Sequence, residues 1–241
     1  MDVSKITKHI SEHGFAHVSD MSKWIDFTEP QQQIFCQWWE NLARDENFRN
    51  YTHRERRILR YRSADKDAAM LEINPDANFH PKVTYDIEYK KGTNTLSYAE
   101  DGFISDQILQ QIIHLDQSIV YAMSGQTVPV CLDVHQFRVK ASAGKVSPTT
   151  SGIHKDGFDW IFMHFINRHN IRPVISEVFN TPDEQGVIFK KEMNVFLETL
   201  VVNDDKCWHR ASSVAPLDDQ SFGWRDLLLV TCRCFPKGNS E

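Results

Sequence analysis

The feature that most constrains this chain is a change of hydrophobic period near residue 128. Before it, apolar residues recur at helical spacing. Val3, Ile6 and Ile10 form one stripe, and Ile104, Ile108, Ile112, Leu115 and Ile119 form a longer one that ends near Ser124-Gly125. Gly14 is expected to stop the first helix, and residues 15–18 then read as extended. A helix over 30–43, with Pro30 in its first turn, would bury Ile34, Phe35, Trp38, Trp39 and Leu42. After the change, segments 128–140, 158–167, 173–180, 197–203 and 225–235 are short and rich in Val, Ile, Phe and Leu. Turn-forming stretches at 142–151, 180–183 and 218–220 separate most of them. Helices first and strands after predict an antiparallel sheet or barrel with helices packed outside it.

A chain of 241 residues with 41% hydrophobic content can bury one full core. With no repeat or linker of boundary length, 1–241 reads as a single domain: a helical N-terminal part of about 1–127 and core strands of about 128–236. The net charge of -6 opposes a polyanion, so no nucleic-acid partner is expected. No apolar run is long enough to span a membrane, and the start Met1-Asp2-Val3-Ser4-Lys5 lacks a signal-peptide core. Five cysteines, an odd number in a long chain, read as reduced thiols of a cytoplasmic protein.

The chemistry concentrates in Ile153-His154-Lys155-Asp156-Gly157. In an extended chain, residues two apart point to one face, so His154 and Asp156 can reach a single metal ion. His209, in Cys207-Trp208-His209 after the apolar run at 197–202, is placed to supply a third ligand. Two histidines and one carboxylate on one face leave three positions of an octahedral iron open, two for a chelating co-substrate and one for O2. The same three ligands would also suit zinc in a hydrolase. Further on, Arg225 opens the apolar strand Leu227-Leu228-Leu229-Val230. A buried arginine needs an anion, and its planar fork suits a carboxylate. That anion is either a co-substrate or a protein carboxylate such as Asp226.

His154, Asp156, His209 and Arg225 stand in the order of the iron(II)- and 2-oxoglutarate-dependent oxygenases, which the chain resembles. Within them it is similar to the bacterial free-amino-acid hydroxylases typified by L-isoleucine 4-hydroxylase. That likeness lies in His135-Gln136-Phe137-Arg138-Val139-Lys140-Ala141, Ile153-His154-Lys155-Asp156, Leu197-Glu198-Thr199-Leu200-Val201 and Arg225-Asp226-Leu227-Leu228-Leu229-Val230-Thr231.

The resemblance implies a mainly β fold with flanking α-helices, built on a double-stranded β-helix (jelly-roll, cupin-like) core. It implies Fe(II), with 2-oxoglutarate and O2 as co-substrates. The expected reaction hydroxylates an unactivated C–H of a small substrate, a free L-amino acid, and releases succinate and CO2. His154, Asp156 and His209 would hold the iron, and Arg225 the far carboxylate of 2-oxoglutarate. Two departures stand out. Where many relatives carry a serine two residues after the arginine, this chain has Leu227, so another hydroxyl must serve, or none. Where a Gly-Gly-acid element is usual, it reads Arg172-Pro173-Val174-Ile175-Ser176-Glu177-Val178.

An amino-acid substrate needs a cation and an acceptor near the metal. Gln136 and Arg138 share one face of a strand, Arg60 shares parity with Ile58 and Arg62, and Trp160 is placed in the barrel interior or pocket wall. His164 reads as a hydrogen-bonded core histidine. Alternatives are the same fold acting on a carrier-bound amino acid, peptide or nucleobase, and a non-catalytic jelly-roll sensor that binds a metal or metabolite.

Overall fold

The first helix, α1 (Val3–His13), ends as its sequence dictates: Gly14 adopts a φ of +81° and its N–H closes on the Ile10 carbonyl at 2.7 Å. Strand β1 (Phe15–Val18) follows. Helix α2 (Glu29–Gln37) starts at a Thr28–Gln31 capping box but stops earlier than the predicted residue 43. Its end tightens into bonds from Trp38 N to Phe35 O and from Trp39 N to Cys36 O. The tertiary structure claims both indoles. Trp38 donates to Asp106 Oδ2 at 2.9 Å and Trp39 to Leu227 O at 3.2 Å.

The structure, a computed structural model, describes residues 3–46, 53–64, 67–76, 78–79, 94–125, 127–142, 145–148, 152–218 and 221–235. The expectations for Met1-Asp2, and parts of the turns at 142–151 and 218–220, lie outside them. The strands continue as β2 (Arg54–Ala64), β3 (Asp67–Asn74) and the short β4 (Asn78–Phe79) and β5 (Asn94–Thr95). Much of 54–74 is therefore strand where the N-terminal part was expected to be helical. Helix α3 (Asp101–Ile104) leads into α4 (Gln107–Ser124), which Asp106 caps and Gly125, at φ +67°, terminates. Then come β6 (Val130–Ala141), β7 (Trp160–His169), β8 (Ile175–Phe179), β9 (Val187–Glu192), β10 (Thr199–Asn203), β11 (Trp208–Ala211) and β12 (Gly223–Cys234). The hydrophobic runs had marked β6, β7, β8, β10 and β12. They missed β9, a half-exposed edge strand, and the four-residue β11.

An antiparallel seven-stranded sheet runs β1-β10-β7-β12-β6-β2-β3, and a three-stranded sheet runs β11-β8-β9. The larger sheet packs one face on the helices. Leu59, Tyr61, Leu132, Val134, Trp160, Phe162, Leu228 and Val230 join Ile6, Ile10, Phe35, Ile108, Ile112 and Ile119 in the largest core cluster. Burying an Ile or Phe side chain contributes roughly 1.5–3 kcal/mol, which holds α1 and α4 against the sheet. The other face meets the small sheet through Phe165, Val178, Leu200 and Leu227, and through Phe137, Val139, Val174 and Val214. This is the expected mainly β, double-stranded β-helix with helices outside. Among the described residues, no helix is long and apolar enough to cross a membrane.

Candidate active site

His154 and His209 are brought together by the backbone. Each donates its N–H to the other's carbonyl, at 3.1 and 2.9 Å, which extends the small sheet by one bridge. Their rings lie 4.4 Å apart. Asp156, two residues on, turns back between them: its Oδ1 is 3.6 Å from His154 Nε2 and its Oδ2 3.2 Å from His209 Nε2. Gly157, at φ +79°, permits that turn. One ligand atom from each of the three residues lies within 4.8 Å of the others, and both histidines are buried.

Burial, and the neighbouring His209, lower the pKa of His154. That favours the neutral imidazole a metal requires. Burial also acts to lower His209, but the hydrogen bond and charge of Asp156 outweigh it and raise it. The donor set therefore fits a divalent ion: two imidazoles and a carboxylate bring their ligand atoms together.

Arg225 enters the space between the sheets from β12. It is 4% exposed, and its one hydrogen bond among the described residues runs from Nη2 to Ser176 Oγ on β8, at 3.2 Å. Its Nε has no partner there. Burial lowers its pKa to about 10, and the like charge of Arg168 adds to the effect. Asp226, the protein carboxylate considered as its partner, faces the other way and is held by Arg138. A buried guanidinium whose one hydrogen-bond partner among the described residues is a neutral hydroxyl keeps the capacity to take a carboxylate. Ser176 thus sets a hydroxyl beside the guanidinium from the opposite sheet, where Leu227 has none to offer.

The remaining predicted residues divide by strand parity. Arg60 lies on the inner face, opposite Asp133 in the register, and donates to both of its carboxylate oxygens as well as to Asp76. Gln136 and Arg138 lie on the outer face and are not brought to the triad. Gln136 donates to Trp38 O at 2.9 Å, while Arg138 donates to Asp226 at 2.7 and 2.8 Å and to Glu40. Trp160 packs on the helix side rather than in the barrel interior. The inner residues of β6 are the alternate set, Asp133, His135 and Phe137. His135 is fully buried, with Arg56, Arg60, Arg54 and Asp156 among its electrostatic neighbours. Period two predicted that Gln136 and Arg138 share a face but not which face is inward. His164 is the core histidine expected, fully buried between Thr199 Oγ1 at 2.9 Å and Asp116 Oδ2 at 3.0 Å.

A family model described as 2OG-Fe dioxygenase matches residues 36–231. The chain is also similar to three solved structures. It shares 18% identity with IDO from Bacillus thuringiensis, over 98% of this chain and 96% of that one, at a TM-score of 0.80. It shares 20% identity with a bsmA homolog from Methylobium petroleophilum PM1, over 97% and 93%, also at 0.80. With the Fe(II)/(alpha)ketoglutarate-dependent dioxygenase TqaL the identity is 16%, over 99% and 90%, at 0.74. At these identities the likeness carries the fold. No curated protein matches the chain.

Proposed function

Since the chain belongs to the 2OG-Fe dioxygenase family, which uses Fe(II), 2-oxoglutarate and O2, we propose that it hydroxylates an unactivated C–H bond of a free L-amino acid, releasing succinate and CO2. His154, Asp156 and His209 would hold the iron, and Arg225 with Ser176 the far carboxylate of 2-oxoglutarate. The observation that carries this reading is Arg225: it is buried, and among the described residues no carboxylate pairs with it, yet a hydroxyl stands ready beside it.

Iron(II), when bound, supplies the redox chemistry that activates O2 at the expense of 2-oxoglutarate. The chain's own residues bind, orient and exclude water. The apolar side chains of Phe137, Phe165, Val178 and Leu227 line the space between the sheets and keep the interior dry around the Arg225 charge. A free amino acid brings a carboxylate and an ammonium. Arg60 and Asp133, on the same inner face as His135, are bound to each other, and would meet the substrate's two charges only by opening that ion pair. One oxygenase domain over 1–241 is supported by β1 and β2, which are built into the same sheet as the core strands.

Purified anaerobically, then given Fe(II), 2-oxoglutarate, O2 and single amino acids, the protein should form succinate fastest with one or a few of them. Succinate formation that no amino acid stimulates removes the substrate class. Failure to bind 2-oxoglutarate in the presence of Fe(II) removes the whole reading.

A further inference from the structure

Asp204 lies in the turn after β10 and is 1% exposed. Its two carboxylate oxygens face different parts of the triad. Oδ2 accepts the backbone N–H groups of Gly157, at 2.5 Å, and Phe158, at 3.2 Å, and so fixes the loop that turns Asp156 inward. Oδ1 faces His209 Nδ1 at 3.7 Å, and neither atom has a hydrogen-bond partner among the described residues. His154 is held in a matching way from the far side of its ring, where Nδ1 lies 2.9 Å from Gly152 O. Both imidazoles therefore present Nε2 to Asp156 and turn Nδ1 toward an acceptor behind the ring, within hydrogen-bond distance at His154 and 3.7 Å away at His209. One acceptor is a carbonyl, the other a carboxylate.

We propose that Asp204 is the positioning residue of the metal centre: it selects the His209 tautomer that carries its proton on Nδ1, leaving Nε2 free to ligate, while holding Asp156 through its loop. This rests on the triad being the metal site. An imidazole oriented by a carboxylate gains both a fixed tautomer and greater basicity, and such partners are typically worth 10- to 100-fold in metal affinity. The division of labour needs two acceptor oxygens. Asparagine has one. With that oxygen on the loop N–H groups, its NH2 faces His209 Nδ1 and favours the opposite tautomer, whose Nε2 carries a proton and cannot ligate.

The test is Co(II) binding to the protein without substrate, followed by the visible absorption of the bound ion, for wild type, Asp204→Asn and His154→Ala. Asp204→Asn should weaken Co(II) binding by about 10- to 100-fold and alter the spectrum. Its metal-free melting temperature should stay close to wild type, because the loop N–H groups keep their acceptor. Wild-type affinity and spectrum in folded Asp204→Asn overturn the proposal, including the case where only the melting temperature falls. If wild type binds no Co(II), or His154→Ala binds it equally well, the triad reading itself fails, which is a distinct result.

Discussion

Arg225 and Asp226 are neighbours in the chain and point to opposite faces of β12. On the outer face, Asp226 meets Arg138 through two hydrogen bonds, Glu40 closes the other side of that guanidinium, and the Trp224 ring lies 4.9 Å beneath it. On the inner face, Arg225 is equally buried and has one neutral partner, Ser176. Burial alone does not separate structural charges from functional ones; whether the partner is already in the protein does. The buried ion pair completes itself on folding, whereas the lone guanidinium costs stability until an anion arrives.

The largest effect that would break this contrast lies at the triad. Ala in place of His154, Asp156 or His209 should abolish Fe(II)-dependent succinate formation with little change in circular dichroism or melting. Loss of fold instead would make the inner polar groups structural.

Arg138→Ala should cost about 3–5 kcal/mol of stability, because it strands the buried Asp226 charge. Burial already pushes the Asp226 carboxyl up to about 6 against the pull of Arg138, and removing Arg138 moves it further up. A raised carboxyl binds more protons folded than unfolded, so stability falls as pH rises through that window. Denaturation of the variant should therefore show a smaller loss at pH 5 than at pH 8. A pH-independent loss would contradict the stranded charge, and lost 2-oxoglutarate affinity in the folded variant would contradict the division of faces.

Arg225→Ala removes a charge-assisted contact worth roughly 1.5–3 kcal/mol. The dissociation constant for 2-oxoglutarate should rise about 10- to 100-fold, with Lys intermediate, iron affinity unchanged and stability undiminished. Only the protonated guanidinium attracts the carboxylate. With its pKa lowered no further than about 10, wild-type affinity should stay flat between pH 7 and 9 and weaken above. Calorimetric titration of 2-oxoglutarate at several pH values checks both, and a decline already complete by pH 8 would implicate another group.

Ser176→Ala should give the smallest change, about 2- to 10-fold in 2-oxoglutarate affinity from a neutral hydrogen bond worth ~0.5–1.5 kcal/mol. No change would leave Arg225 acting alone.

What the sequence determined by itself is what is local. Helical stripes and glycine stops set α1 and the end of α4, and two-residue spacing in an extended chain put His154 and Asp156 on one face. The charge of Arg225 on an apolar strand raised the question of its partner, but the sequence left open whether that partner is Asp226 or a bound anion. The tertiary structure decided which face of each strand turns inward. Alternation is symmetric until a second layer packs on one side, so Gln136, Arg138 and Trp160 fall on the helix side while Asp133 and His135 fall on the inner one, with His135 in electrostatic reach of Asp156. It also decided the partners that arrive from distant segments. Ser176 reaches Arg225 from the other sheet, and Asp204 reaches His209 and the Gly157 loop from the turn after β10. No spacing in the chain encodes those contacts, because they exist only once the two sheets close on each other.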